Sequence, residues 1–137
     1  MKNSIKKFPL HLGLDAKIFS EPMFTGFDWY ESYGKRHAND GKEGRLVSLH
    51  TFEESWDAWE QHPEGDEVVL CLEGRLTLIQ EISPETYKEI TLEPYEYVIN
   101  PKGVWHTADT QSKTTALFIT AGLGTQHKPR TKNSSTL

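Results

Sequence analysis

From Arg45 onward the chain is a series of short segments with strand character, separated by turns at regular spacing. Segments of this length, rich in β-branched and aromatic residues and bounded by Gly, Pro and Asn, are typical of a β-sandwich or barrel. The predicted strands cover residues 45–52, 67–72, 75–81, 88–92, 95–99 and 114–120. The pair Glu73-Gly74, between the second and third strands, predicts a hairpin. We therefore expect an all-β fold for this part of the chain.

Residues 1–44 precede this pattern and predict an N-terminal arm with one short helix that packs on the barrel. The helix is expected over 28–37, with Asp28 as N-cap and with Tyr30, Tyr33 and His37 on one face. The barrel is assigned to 45–124. Residues 125–137 predict a basic, polar tail with a frayed end at 133–137, and contact with an anion is the alternative role for this tail.

Composition excludes several classes of partner. The chain has 137 residues, enough for one domain, and a net charge of −5, so nothing suggests a nucleic-acid partner. No apolar run approaches the roughly 20 residues that span a bilayer. The one cysteine, Cys71, cannot form an internal disulfide, which favours a reducing compartment, and we expect the protein in the cytoplasm.

Two similar turns position the residues with the clearest chemistry. His62-Pro63-Glu64-Gly65 and Asn100-Pro101-Lys102-Gly103 both fit a type I β-turn. Because a residue before proline favours extended backbone, residues 60–62 are expected to be strand-like, with two side chains on one face. A barrel can bring four polar side chains of this region to one interior point. They are Glu60, His62, Glu67 and His106.

Imidazole and carboxylate groups together suit Zn, Fe, Mn, Ni or Cu, and such a set leaves open positions for substrate or water. The spacing alone also fits solvated or hydrogen-bonded histidines with no metal. On residue types and spacing alone, a metal site and a set of metal-free histidines both stay open.

Two stretches resemble the motifs of the cupin superfamily. Residues 62–74 have the His-x₄-Glu-x₆-Gly pattern of the first cupin motif, and residues 101–106 have the Pro-x-Gly-x-x-His pattern of the second. The resemblance covers about 45–124, and residues 56–63 and 118–125 are similar to a bacterial subgroup of small, largely uncharacterised single-domain cupins. It implies a double-stranded β-helix, or jelly-roll barrel, in which His62, Glu67 and His106 match three of the four usual metal ligands.

The chain departs from the cupin pattern at several positions. Glu60 stands where the first His of the usual His-x-His pair would be, so the ligand set becomes two His and two Glu. This more anionic set favours Fe, Mn, Ni or Zn over Cu(I), and the alternative is a metal-free ion pair between Glu60 and His62. Glu54 and Tyr95 replace the opening glycines of the two motifs, and Thr110 replaces the closing Asn.

The resemblance implies a small organic ligand inside the barrel. Val69 and Cys71 share the phase of Glu67, and Ala108 shares the phase of His106, so these three are predicted to line the ligand pocket. A metal-dependent enzyme, an oxygenase or isomerase, is one hypothesis. A non-catalytic cupin that binds a small metabolite without metal is the alternative, and a structural dimer with a filled barrel is a third.

Other residues give weaker signals. The segment from Val68 to Leu72 is apolar on both strand faces, which requires a second layer from the N-terminal arm or a partner subunit and favours a homodimer. His50 shares a phase with Phe52 and is a candidate for an acid or base in the pocket, and a hydrogen-bonded position in the core or at an interface is the favoured alternative. No pattern supports a role for His11, His37 or His127.

Overall fold

The computed structural model describes residues 2–131. This part of the chain contains one α-helix, α1 (Phe27–Arg36), and two short 3₁₀ segments at Leu14–Ala16 and Ala38–Glu43. None of its helices is long and apolar enough to cross a membrane. The strands are β1 (Leu10–Leu12), β2 (Ile18–Ser20), β3 (Arg45–Phe52), β4 (Ala58–Gln61), β5 (Glu67–Glu73), β6 (Leu76–Ser83), β7 (Thr86–Leu92), β8 (Tyr97–Asn100), β9 (His106–Asp109), β10 (Thr114–Thr120) and β11 (Gln126–Pro129).

The strands form two antiparallel sheets. One sheet has six strands in the order β2-β1-β3-β10-β5-β8, and the other has five in the order β11-β4-β9-β6-β7. Apart from the consecutive pairs β1–β2 and β6–β7, neighbours in each sheet come from distant parts of the sequence, as in a double-stranded β-helix. The predicted all-β jelly-roll barrel with an N-terminal arm and one short helix is confirmed.

The core lies between the sheets at the end of the barrel away from the two motif turns. Strand β5 alternates buried and half-buried residues, so one face points into the core and the other outward. Burial of each large side chain contributes about 2 kcal/mol to folding. The buried cluster consists of Val69, Cys71, Leu76, Leu78, Leu92, Ala108, Ala116 and Phe118.

The link at Glu73-Gly74 connects the two sheets, so the predicted hairpin is wrong. Strand β5 pairs with β8 and β10, whereas β6 pairs with β7 and β9. Gly74 has φ +85°, and a Cβ at this position would overlap the carbonyl oxygen of Lys113. The glycine therefore marks a tight bend beside another segment, and a bend of this kind has the same local sequence as a hairpin.

Helix α1 and the ends of the chain are attached to the sheets. The helix begins at Phe27, with Gly26 at the N-cap position and no side-chain cap, so the prediction of Asp28 as N-cap is wrong. Asp28 lies in the first turn, where its carboxylate interacts favourably with the helix dipole. Strand β1 extends the six-stranded sheet, and β11, within the predicted tail, pairs with β4. The predicted frayed end at 133–137 lies outside the described residues.

Candidate metal centre

Two hydrogen bonds from backbone amides link the two motif turns. The Gly103 amide donates to the His62 carbonyl at 3.0 Å, and the Lys102 amide donates to the Asp66 carboxylate at 2.8 Å. The second turn runs from Pro101 to Val104 with Gly103 at φ +74°, so it is a type II turn rather than the predicted type I turn from Asn100. A type II turn requires positive φ at its third residue, which glycine adopts without strain.

These turns bring the four predicted side chains together. His62 Nε2 and His106 Nε2 each lie 3.1 Å from an oxygen of Glu67. The Glu60 oxygens lie 3.7 Å from His62 Nε2 and 4.0 Å from His106 Nε2. Both histidines and Glu67 are buried, whereas the Glu60 side chain is 25% exposed. One face of this cluster is therefore closed by the barrel, and Glu60 forms its open side.

Hydrogen bonds determine which nitrogen of each imidazole carries the proton. His62 Nδ1 lies 2.8 Å from Thr125 Oγ1, and the Thr125 hydroxyl donates its own proton to the Gly122 carbonyl. Thr125 must therefore accept from His62 Nδ1–H. His106 Nδ1–H donates to the Val104 carbonyl at 3.2 Å. A neutral ring at either position therefore presents an unprotonated Nε2 to the interior of the site.

These two Nε2 atoms have no hydrogen-bond partner among the described residues. Each faces the Glu67 carboxylate at 3.1 Å, but an imidazole lone pair and a carboxylate oxygen are both acceptors, so no bond forms between the neutral rings and Glu67. Buried acceptors without a donor are costly. Such an arrangement is satisfied by a cation at the centre.

Glu67 is held in place by other buried polar groups. Asn100 Nδ2 donates to one carboxylate oxygen at 3.1 Å, and the Thr120 hydroxyl donates to the other at 2.7 Å. Gln80 Nε2 in turn donates to Asn100 Oδ1 at 2.8 Å. These hydrogen bonds fix the orientation of the Glu67 carboxylate.

The pKa shifts favour a negative charge on Glu67 next to a positive charge on His106. Burial raises the pKa of Glu67, but interactions with His106 and His62 outweigh burial and hold it well below its ordinary value. Burial lowers the pKa of His106, but the carboxylates of Glu67 and Glu60 outweigh it and raise that pKa. Both directions follow from two carboxylates sharing a small volume with two imidazoles.

The donor set fits a divalent transition metal. Glu60, His62 and His106 each offer a ligand atom, and these atoms lie within 4.8 Å of one another. Imidazole nitrogen with carboxylate oxygen suits Fe, Mn, Ni or Zn, and each candidate histidine already has the Nδ1 hydrogen bond that usually orients a metal-binding imidazole. The contact between Glu60 and His62, which the sequence also allowed as a metal-free ion pair, belongs to the same cluster.

A cavity of about 800 Å³ opens beside the cluster, between the barrel and helix α1. The helix forms one wall, including the predicted face of Tyr30, Tyr33 and His37. The other wall consists of inward-facing barrel residues, and Glu60, His62 and Glu67 lie at its base. The aromatic side chains that line the cavity are Phe24, Phe27, Tyr30, Tyr33, Phe52, Trp56 and Phe118.

Two polar groups in the cavity wall face one another. The Tyr30 hydroxyl lies 3.4 Å from His50 Nε2. Burial, with added repulsion from Glu60 and Glu67, raises the pKa of Tyr30 to about 12, and burial lowers the pKa of His50. His50 therefore lies in the cavity, one of the two locations that its phase allowed.

The predicted pocket residues Val69, Cys71 and Ala108 occupy a different place. All three are fully buried in the hydrophobic core and are not among the residues that line the cavity. They do share the inward faces of Glu67 and His106, but they lie deeper in the barrel, where opposing side chains fill the space. Phase along a strand gives the face, and it does not give the depth at which the packed core ends and the cavity begins.

Several residues of the site were not identified from the sequence. Thr125 and His127 come from the region that was predicted as the C-terminal tail, and Asn100 and Thr120 come from β8 and β10, the two strands beside β5. Asn100 was predicted as the first residue of the second motif turn, and nothing else in the local sequence pointed to a role for it in the site. The others lack a motif, because their roles depend on strand pairing between distant segments.

A second histidine cluster connects the arm to helix α1. The His11 ring stacks on the His37 ring at 3.6 Å, and His11 Nδ1 accepts from the Tyr33 hydroxyl at 2.6 Å. His11 Nε2–H donates to Asp40, and His37 Nε2 contacts Glu21 at 2.9 Å. Both His11 nitrogens therefore have partners, and the cluster fixes the wall of the cavity.

Comparison with solved structures finds proteins of similar fold. No family model and no curated protein matches the chain. A structure of DMSP lyases matches with a TM-score of 0.50 and 20% identity, covering 64% of this chain and 44% of the other. A cupin-2 domain protein from Shewanella frigidimarina matches with a TM-score of 0.47 and 26% identity, and the match covers 63% of this chain and 71% of the other. A cupin superfamily protein from Desulfitobacterium hafniense matches with a TM-score of 0.47 and 22% identity, and the match covers 56% of this chain and 65% of the other.

Two antiparallel sheets that enclose a His/Glu cluster at one end define a cupin barrel. The chain therefore has the fold of the cupin barrels, and its membership of the cupin superfamily stays a prediction. Its place in the small single-domain bacterial subgroup stays a prediction.

Proposed function

We propose that this cupin barrel binds a divalent transition metal through Glu60, His62, Glu67 and His106 and is a metal-dependent enzyme acting on a small organic molecule in the adjoining cavity. One observation carries the proposal. The Nε2 atoms of His62 and His106 are buried and have no hydrogen-bond partner among the described residues, and both face the Glu67 carboxylate at 3.1 Å.

When bound, the metal supplies Lewis-acid polarisation of a substrate oxygen or activates a bound water or oxygen molecule. The protein residues set up this chemistry. Glu67, held by Asn100 and Thr120, provides a fixed negative charge, and Glu60 provides a second charge on the side that faces the cavity. The aromatic walls limit access of water to the reacting group.

The cavity favours an uncharged, largely apolar substrate. Seven aromatic side chains line it, and no Lys or Arg is among the described residues of its wall. A carboxylate or phosphate group on the ligand would find no cation there apart from the histidines, and it would lie near Glu60. We therefore propose an aromatic or similarly flat substrate whose polar end points to the metal, in an oxygenase or isomerase reaction.

Elemental analysis of the purified protein tests metal binding. We expect near-stoichiometric Fe, Mn, Ni or Zn in the wild type and its loss in a His62→Ala, His106→Ala double variant. His50→Gln is the matched control, because His50 lies in the same cavity outside the ligand set and its variant is expected to retain the metal. Metal-free wild type that gains no stability from any of these ions would contradict the proposal and favour the non-catalytic binder.

Thermal-shift screening tests the proposed ligand class. Matched pairs such as benzyl alcohol and benzoate differ mainly in charge, and a true ligand stabilises the folded state by mass action. We expect the neutral member to raise Tm in the metal-loaded protein. A larger shift with the carboxylate members would rule out this class.

We also propose that the protein is a homodimer through the outer face of the six-stranded sheet. Register pairs Leu70 with Tyr97 and Val68 with Ile99 across β5 and β8. Tyr97 is 64% exposed and Ile99 is 50% exposed, which is unusual for adjacent apolar side chains. A second copy related by twofold symmetry would cover the same patch on both subunits.

Light scattering should give twice the monomer mass for the wild type, and the Ile99→Lys variant should give the mass of the monomer. A monomeric wild type would exclude the dimer.

A further inference from the structure

Each candidate ligand of the metal centre has a partner that orients it from outside. Glu67 is held by Asn100 and Thr120, and His106 by the Val104 carbonyl, all within the barrel. The partners of the other two ligands come from residues 122–129, which we term the C-terminal segment. Half of the ligand set therefore depends on a part of the chain that neither motif includes.

The first contact is between Thr125 and His62. The Thr125 hydroxyl accepts from His62 Nδ1–H at 2.8 Å and donates to Gly122 at 2.9 Å. This pair of bonds fixes both the ring orientation of His62 and the position of its proton. Without the hydroxyl, the proton could move to Nε2, and the imidazole would no longer offer a ligand atom to the centre.

The second contact is between His127 and Glu60. Pairing of β11 with β4 places His127 directly opposite Glu60, and His127 Nε2 lies 3.6 Å from Glu60 Oε1. The other two groups near the Glu60 carboxylate are the ligands His62 and His106. Among the described residues, His127 is thus the basic group that contacts Glu60 from outside the ligand set.

We propose that the C-terminal segment is a positioning element of the metal centre, in which Thr125 orients His62 and His127 orients Glu60. This inference rests on the proposed metal binding. Loss of such outer partners typically weakens metal affinity 10- to 100-fold without removing a ligand. Strand β11 lies at the edge of the five-stranded sheet and pairs with β4 alone, so its side chains can be changed without disturbing the core.

Titration with Zn²⁺ and Co²⁺ against a competing chelator tests the inference. We expect His127→Ala and Thr125→Val each to bind both ions about 10- to 100-fold more weakly than the wild type. The visible spectrum of the Co²⁺ protein should also change, since a merely structural role of the segment would leave it unaltered. Thr125→Ser retains the hydroxyl and should restore affinity and spectrum.

Gln126→Ala is the matched control within β11. Gln126 contacts Gln61 at 2.6 Å and no ligand, so its variant should bind within about threefold of the wild type. Wild-type affinity in His127→Ala or Thr125→Val, or an equal loss in Gln126→Ala, would overturn the inference. If the wild type binds neither ion, the proposed function itself is wrong and the inference falls with it. Should Thr125→Val fail to fold, Thr125→Ala and His127→Gln give the same comparison.

Discussion

The imidazole nitrogens of His62 and His106 connect the hydrogen-bond network to the proposed chemistry. Each ring has its Nδ1 proton fixed by an acceptor outside the site, and each therefore directs a lone pair towards Glu67. A protonated imidazole would instead donate to the carboxylate, which explains why the site raises the pKa of His106. The same Nε2 atoms can thus hold either a proton or a metal ion.

Asn100 is the residue whose loss should damage the site most without removing a ligand. Asn100→Ala leaves both a Glu67 oxygen and the Gln80 amide without this buried partner. Because unsatisfied buried polar groups cost about 1–3 kcal/mol, we expect destabilisation of about 2 kcal/mol in urea unfolding. Thr77→Ala removes an exposed hydrogen bond to Thr91 and should change stability by less than about 0.5 kcal/mol. Equal stability of the two variants would argue against the network.

Tyr95, which stands where the second cupin motif has its opening glycine, has a backbone conformation that is strained for a residue with a side chain. It is the third residue of a turn from Glu93 to Glu96 and has φ +74°, a conformation that favours glycine. Its side chain is largely exposed, so little packing is lost on truncation. We expect Tyr95→Gly to raise the free energy of unfolding by about 0.5–1 kcal/mol over Tyr95→Ala, measured by chemical denaturation. Greater stability of the alanine variant would contradict this explanation.

At the level of elements, the glycine in α1 and the glycine in the β5–β6 link differ in the space that surrounds them. Gly34 lies inside α1 with open space where a Cβ would be, whereas Gly74 is tightly surrounded and has φ +85°. Gly34 is a poor helix former at a position where a larger residue would fit, whereas the link requires glycine at position 74. Only the second of these residues is determined by the fold.

A pair of alanine substitutions should separate these roles. Gly34→Ala should stabilise the protein by about 0.5–1 kcal/mol, because alanine loses less backbone entropy in a helix. Gly74→Ala should destabilise it by more than about 2 kcal/mol, since both strain and a clash with Lys113 oppose it. Thermal unfolding of both variants, followed by circular dichroism, gives the comparison. Destabilisation by Gly34→Ala would mean that the open space beside the helix is filled.

At the scale of the whole molecule, the cavity exists because elements from both ends of the chain close over the barrel. Helix α1 supplies one wall, and His11 and His37 attach it to the arm. The C-terminal segment contributes Thr125 and His127 to the same cavity. The mouth of the barrel is therefore built from three distant parts of the sequence.

Metal removal should lower the stability of the whole fold. A ligand present at about 100 times its Kd stabilises the native state by about 2.7 kcal/mol, which corresponds to a rise in Tm of roughly 5–12 °C for a domain of this size. We expect this rise when Zn²⁺ or Mn²⁺ is added to chelator-treated protein, and its reversal by EDTA. The His62→Ala, His106→Ala variant should show no rise; an equal rise in that variant would place the ion elsewhere.

Much of the barrel could be predicted from the sequence. Strands β3 and β10 were predicted with their observed bounds, and helix α1 within one residue at each end. Alternation and turn residues are local signals, so they identify strands reliably where one face is buried. Strands β1, β2 and β11 were not predicted, because each is only three or four residues long and depends on a neighbour for its hydrogen bonds.

The sequence by itself determined the two motifs, their order and the phase of His62, Glu67 and His106, because turn chemistry and alternation act within a few residues. Only the tertiary structure decided that Val69, Cys71 and Ala108 lie in the packed core, that β5 and β6 belong to different sheets, and that α1 and β11 complete the site. These features depend on pairing between segments far apart in the chain. Local sequence does not encode that pairing, since the same strand pattern is compatible with several neighbours.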